Sequence, residues 1–366
     1  MILLLPLIFT APLPLQEAEP VAKSTHVFGR VMSDFTLSDG ADGSGKGAEF
    51  RRVRLGVKGD LSAFASYKVE LEFAAGDEDD FNEEDPVEGD ADAILADVYL
   101  KLDRLFPASL TIGHFKEPMG LDELTSSRFI TFMERSVTSG FSPARNHGFM
   151  LSESSDGLTW QAGYFYDADA YGTGSDADAT SLAGRVVYRP WFSNRGESLL
   201  HLGAAWNARE GTKAIKFYPG NHAAPSSESF NLTDPSTLGL EIAWTDGPLS
   251  IMAEQMSAED GITGNTASAT SIQASWFLGD QYRGYKTSAG AFERAQGADD
   301  GAWELAARHG SWDFDDSATN DSGSALALGL NWHIDPFTQV MMDTIQVTPE
   351  GGKSFSVVAI RFAYDF

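Results

Sequence analysis

Apolar residues recur at every second position, in long runs, from about residue 26 to residue 366, and no other feature of the chain limits its fold so tightly. In FSVVAIRFAYDF, residues 355–366, Val358, Ile360, Phe362, Tyr364 and Phe366 share one face. Val357, Ala359, Arg361, Ala363 and Asp365 share the other. Near the start, Val53, Leu55 and Val57 oppose Arg52, Arg54 and Lys58, and Tyr67, Val69, Leu71 and Phe73 oppose Ser66, Lys68, Glu70 and Glu72. Ile94, Ala96, Val98, Leu100 and Leu102 oppose Leu95, Asp97, Tyr99 and Lys101. Leu326, Leu328, Leu330, Trp332 and Ile334 oppose Ala325, Ala327, Gly329, Asn331 and His333. A strand turns its side chains over with period 2, and a helix of period 3.6 cannot gather these residues into one stripe.

Sixteen such segments lie near 26–36, 48–58, 62–74, 91–102, 107–115, 148–155, 157–166, 179–190, 198–209, 236–246, 248–257, 267–278, 301–311, 323–334, 337–347 and 354–366. Most exceed the roughly five or six residues usual in soluble sheets, and they suit a tilted crossing of a bilayer, which needs about 9–11. Short turns rich in Gly, Asp and Pro alternate with long connections, as in an outer-membrane barrel with short periplasmic turns and long outer loops. Residues 279–300 break this order, being long where a turn should be short, which suggests a miscounted strand.

A soluble sandwich would also alternate, but its inner face would be a packed apolar core. Here that face carries Glu70, Glu72, Asp97, Glu254, Glu304 and Arg308, which suit a water-filled lumen. In lipid such a sheet must close, because an open edge would leave backbone groups unpaired. The expected fold is therefore all-β: a closed antiparallel transmembrane barrel of sixteen strands, spanning residues 26–366.

Composition narrows the function. With 26 basic and 53 acidic residues the net charge is −27, which disfavours nucleic-acid backbones as partners. The absence of cysteine excludes disulfides and thiolate chemistry. Residues 1–20 begin with an apolar run and read as a signal-peptide-like or disordered segment. No GxSxG, HExxH, P-loop or dinucleotide fingerprint occurs, and the seven histidines are scattered, so neither an enzyme nor a metal or cofactor site is expected.

The stretch LTIGHFKEPMGLDELTSSRFITFMERSVTSGFSPARNHGFMLS, residues 110–152, resembles the phosphate-selective porin O and P family. FRRVRLGVKGDL at 50–61, SLAGRVVYRP at 181–190, GAWELAARHGSWDF at 301–314 and LGLNWHIDPFTQVMMD at 328–343 support it, and the likeness covers nearly all residues after about 25. The resemblance implies an outer-membrane porin of a Gram-negative bacterium. It implies a homotrimer, a third extracellular loop folded into the lumen, and passage of phosphate or other small ions. It also implies recognition of terminal Phe366 by the barrel assembly machinery, and surroundings of outer-membrane lipid and lipopolysaccharide.

Residues 116–147 form the expected constriction loop, with Lys116, Arg128, Arg135 and Arg145 beside Glu117, Asp122, Glu123 and Glu134. Phe129, Ile130, Phe132 and Met133 would anchor it, since burying each large side chain is worth about 1.5–3 kcal/mol. On the wall, Arg52, Arg54 and Lys58 share the lumen face, and Arg51 is out of phase, as at a bulge. By resemblance, the Arg51–Arg52 pair and the basic loop residues fall where the family builds its anion pathway. The candidate pathway residues are thus Arg52, Arg54, Lys58, Lys116, Arg128, Arg135 and Arg145. Glu70 and Glu72 are available to neutralise the wall arginines. Ten acids between Gly76 and Asp92, without a lysine or arginine, read as a solvated loop. A barrel-anchored structural or adhesin protein without channel activity is the alternative function.

Overall fold

The computed structural model describes residues 23–40, 45–74, 93–103, 107–155, 157–168, 179–220, 229–315 and 321–366. In chain order come strands β1 (His26–Gly40), β2 (Gly45–Ser62), β3 (Ala65–Glu72), β4 (Ile94–Leu102), β5 (Ser109–Lys116), β6 (Arg145–Ser154), β7 (Leu158–Tyr166), β8 (Thr180–Ser193) and β9 (Ser198–Glu210). A short hairpin follows, β10 (Thr212–Ile215) with β11 (Phe230–Thr233). Then come β12 (Ser236–Asp246), β13 (Leu249–Glu259) and β14 (Thr266–Phe277), and a second hairpin, β15 (Tyr282–Lys286) with β16 (Ala291–Gln296). β17 (Ala302–Asp315), β18 (Asp321–His333), β19 (Thr338–Pro349) and β20 (Phe355–Asp365) complete the chain.

Sixteen of these strands pair antiparallel into one closed barrel, and β20 returns to bond β1. Each matches one of the sixteen alternating segments. Residues 279–300 hide no missing barrel strand: β15 and β16 pair only with each other. The signal-like segment 1–20 and the acidic loop 76–92 lie outside the described residues.

Burial is inverted relative to a soluble protein. Val358, Phe362, Tyr364 and Phe366 are about half exposed, and so are Leu326, Leu328 and Trp332. Arg361, Glu70, Glu72 and Arg52 are each only 1% exposed. Outward apolar rows match lipid, where a charged Arg or Lys at mid-depth costs about 2–4 kcal/mol. Near the short turns Trp303 and Trp332 stack with centroids 5.5 Å apart, and Trp276 is exposed beside them, as expected of an interfacial aromatic band.

Among the barrel's register shifts, two change the phase of residues read from the sequence. On β1–β2, Met32 pairs with Arg52 and Ser33 with Phe50, so Arg51 is the extra residue, and both arginines are buried. This explains the out-of-phase Arg51. On β3–β4, Val69 pairs with Val98 but Leu71 with Leu95. The added β4 residue breaks the expected alternation, and Ala96, assigned to the apolar outer row, is 3% exposed. A bulge always costs the strand its simple parity on one side. The first short turn sits at Ala63–Phe64, because β2 continues to Ser62. Between β12 and β13 the turn needs Gly247, whose φ of +54° is open to glycine at little cost.

Both hairpins carry apolar cores. Ile215, Phe217, Phe230 and Leu232 join Phe141, Trp312 and Phe314 in one buried cluster at the long-loop end. Tyr285, Ala291 and Phe292 pack with Leu199, Ala243 and Met252 of the wall and with Leu121. Arg185 of β8 donates to the carbonyls of Ala289 and Gly290, and Thr159 of β7 to that of Thr287. The β15–β16 hairpin therefore lies against the inner wall.

Candidate functional site: the loop-filled lumen

The segment between β5 and β6 is held from many sides. At its start Glu117 accepts from Asn146, Ser181, Asn207 and Arg209. A single helical turn, α1 (Leu121–Leu124), has no side-chain cap of its own. Glu254 of β13 serves instead, accepting the amides of Leu121 and Asp122. The first amides of a turn lack backbone partners, and this carboxyl group supplies them. Further along, Asn331 donates to Thr131 O at 2.7 Å and Asp343 accepts from Met133 N at 2.8 Å. Arg308 donates to Glu134 O at 2.8 Å, and Arg361 donates to Met133 O. Arg30 of β1 reaches Ser127 at 2.6 Å. A segment bonded to β1, β8, β9, β13 and β17 to β20 lies inside the ring. Phe132 (0% exposed) and Met133 (1%) supply the apolar anchor expected of them.

Most basic residues of the interior are matched by carboxylates. Arg51 forks onto Glu134 at 2.9 and 3.1 Å, and Arg361 grips Asp34 (2.6 Å) and Glu134 (2.8 Å). Burial opposes the Glu134 charge, yet Arg51 and Arg361 hold its carboxyl well below the usual range. Arg54 pairs with Glu72 at 2.5 Å and Arg30 with Glu70 at 2.6 Å. Among the loop cations, Arg145 meets Asp97 at 2.8 Å, and Lys116 and Arg135 share Glu123. Arg135 also donates to Asp122 O and Thr125 O, so it braces its own loop. Arg52 is buried beside the bulge. Of the seven candidate residues, the structure thus places five in ion pairs or buried in the loop–wall seam, with Lys58 and Arg128 in a different setting.

Lys58 is exposed and stacks on Phe28, with its nitrogen 5.1 Å from the ring centre. Among the described residues it makes no ion pair, and neither does Lys286 of the hairpin. Lys58 feels the charges of Arg128, Lys68 and Lys286. Lys58, Arg128, Lys286, Arg195 and Arg294 all line one open space of about 1220 Å³, on the short-turn side of the loop. Arg128 bonds Asp365 weakly at 3.4 Å, and Arg195 pairs with Glu293 at 2.8 Å. Sequence reasoning missed Lys286, Arg195 and Arg294. For Lys286 and Arg294 the signal was residues 279–300, a stretch with Arg283, Lys286 and Arg294 where a turn should be short, whereas Arg195 lies in the turn between β8 and β9 and gave none.

Relatives agree with this architecture. A protein of Caulobacter vibrioides is 30% identical over 302 residues, covering 75% of this chain and 57% of its own length. Porin O of Pseudomonas aeruginosa is 24% identical over 279 residues, 64% of either chain. The chain therefore spans under two thirds of the length of these relatives. The anion-selective porin from Comamonas acidovorans shares the fold with a TM-score of 0.59 at 14% identity, over 94% of this chain and all of that one. The profile of one family matches residues 26–366 without interruption. The chain belongs to the phosphate-selective porin O and P family.

Proposed function

We propose that the protein is an outer-membrane porin of a Gram-negative bacterium, a passive diffusion channel and not an enzyme, with a preference for small anions, phosphate among them. The observation that carries the preference is the pair Lys58 and Lys286. Both lack a carboxylate partner among the described residues, and both line an open space inside a closed ring with Arg128. Cations along a narrow, low-dielectric passage focus potential and concentrate anions. Selection is set at the narrowest ring and not by the whole chain's charge of −27.

In this reading residues 26–366 are the porin domain, residues 1–20 an export signal and residues 116–147 the constriction. Arg128 and Lys58 face the solute. Arg52, Arg54, Lys116, Arg135 and Arg145 hold the constriction in shape, with their charge largely cancelled by Glu72, Glu123 and Asp97. That cancellation argues for modest selectivity. The protein works as a homotrimer, with its apolar outer rows against partner subunits, lipid and lipopolysaccharide. The outward Phe366, 56% exposed, is available to the barrel assembly machinery.

The test is planar-bilayer recording in a KCl gradient. A reversal potential favouring chloride is expected, moving toward potassium in Lys58→Glu/Lys286→Glu because two charges reverse sign at the passage. Closure in steps of three supports the trimer. An unchanged ratio removes the two lysines from the selectivity argument. A barrel that inserts and carries no current refutes the channel and favours a structural anchor.

A further inference from the structure

Beside the open space lies a second, more enclosed cavity of about 620 Å³, framed by the β15–β16 hairpin, the short-turn ends of β18 to β20, and residues 128–131 of the loop. Its walls carry two chemistries. Arg128, Arg283 and Arg294 bring guanidinium groups, and Phe129, Phe277 and Phe337 bring rings. They are interleaved. Arg128 and Arg294 lie over Phe129 at 5.0 and 5.1 Å, and Arg294 also lies over Phe337 at 4.6 Å. The two spaces share Arg128, Phe129, Arg294 and Pro336 in their walls, so they adjoin.

Acidic groups line the cavity as well, but each is engaged. Asp365 pairs with Arg294 and Arg128, Glu293 with Arg195, and Glu304 with His333 and Asn331. Asp335 accepts the amides of Phe337 and Thr338. Three buried atoms of its lining lack a hydrogen-bond partner, Thr131 Oγ1, Glu304 Oε1 and Arg283 Nη1, and the cationic one is the donor of Arg283. Arg283 is 6% exposed, its Nη2 donates to Phe129 O at 3.0 Å, and its buried Nη1 has no partner. An unmatched buried donor is costly, and a planar fork matches a carboxylate. The rings would be poor company for a fully hydrated ion. They suit a ligand with an apolar body, which packs against aromatic faces and guanidinium planes.

We propose that this cavity is a subsite for small aromatic carboxylates, which pause there with the carboxylate on Arg283 and the ring among Phe129, Phe277 and Phe337. The proposal deepens the anion-channel reading and rests on it. Such a subsite gives a hydrophilic channel a way to favour amphipathic monoanions over phosphate, by stacking that phosphate cannot use.

Benzoate, acetate and inorganic phosphate are the probes. Each is titrated against the chloride current of the full protein in planar bilayers at pH 7. Benzoate should block saturably, at a concentration about tenfold below acetate or phosphate because of its ring, and Arg283→Met should weaken block by benzoate and acetate alike about tenfold, the worth of one charged hydrogen-bonded pair. Should Arg283→Met fail to yield a folded barrel, Phe129→Leu serves, since it keeps an apolar side chain and removes the ring; the benzoate preference over acetate should fall at least about threefold. Benzoate no better than acetate, or phosphate as good as benzoate, overturns the subsite. Saturation-transfer NMR with benzoate on the micellar protein separates the two readings. A protein that carries no current but still shows Arg283-dependent transfer refutes the channel and supports the subsite. A conducting protein that treats all three anions alike refutes the subsite alone.

Discussion

Arg361→Met tests whether the loop is clamped by charge. The Arg361 side chain is 1% exposed and makes four bonds: two to Asp34 at 2.7 and 2.6 Å, one to Glu134 at 2.8 Å and one to the carbonyl of Met133. Methionine fills much of the volume and makes none of them. Glu134 keeps Arg51, but Asp34, 2% exposed, has no other ion pair among the described residues. Stranding one partner of a buried pair costs about 3–5 kcal/mol. Asp34→Leu combined with Arg361→Met removes both charges, and such replacements are often neutral, so the double variant should regain most of that loss. The loop would still lack its bond at Met133 O, so current noise from loop motion should persist in both variants. Urea unfolding of the micellar protein gives the stabilities, and single-channel recording gives the noise. Equal stability of the single and double variants, or a single variant as stable and quiet as the parent, would show that the clamp is not electrostatic.

Phe132→Ala should cost about 3–5 kcal/mol as a buried large-to-small change, with added current noise and strand pairing intact by circular dichroism. Glu254→Gln keeps an acceptor for Leu121 N and Asp122 N but weakens it, so hydrogen exchange at these two amides should quicken while those of β13 stay protected. Asp260, in the turn after β13, is held at about 2 by the amides of Thr233 and Thr263 and also that of Ile262. Its pKa is lowered on folding, so its support is complete above about 3.8 and lost as pH falls through about 2. Exchange at those amides should therefore stay slow at pH 3.5, and a rise centred near 4 would contradict this.

Strand number and facing were legible because each barrel residue has only two solvents to choose between, lipid and lumen, and parity reports the choice. Even the extra Arg51 showed as a break in phase. Partner choice was legible only between neighbouring strands, as for Arg54 and Glu72, because parity says nothing about which distant inward charges meet. Arg361 and Asp34 are 327 positions apart and adjoin only when β20 returns to β1. Leu121 and Glu254 are 133 apart and meet across the lumen. The loop's apolar anchor could be read from Phe132 and Met133, yet five of the seven pathway candidates turn out to sit in ion pairs or in the loop–wall seam. The extra length at 279–300 was noticed, but a hairpin that pairs with no barrel strand carries the same alternation as one that does.

The meeting of β1 and β20 bears on how the molecule is made. Gly29 and Phe366 exchange backbone hydrogen bonds at 3.0 and 3.1 Å, and a side chain at Gly29 would strike the Phe366 ring. The seam joins the first strand of the barrel to the last. Until β20 emerges, any partial sheet has two raw edges, and lipid offers neither edge a partner. Stepwise insertion behind the ribosome is therefore unfavourable for this chain. It must be carried unfolded, with its edges shielded, and must enter the bilayer late and nearly all at once, in a search dominated by distant contacts and hence slow.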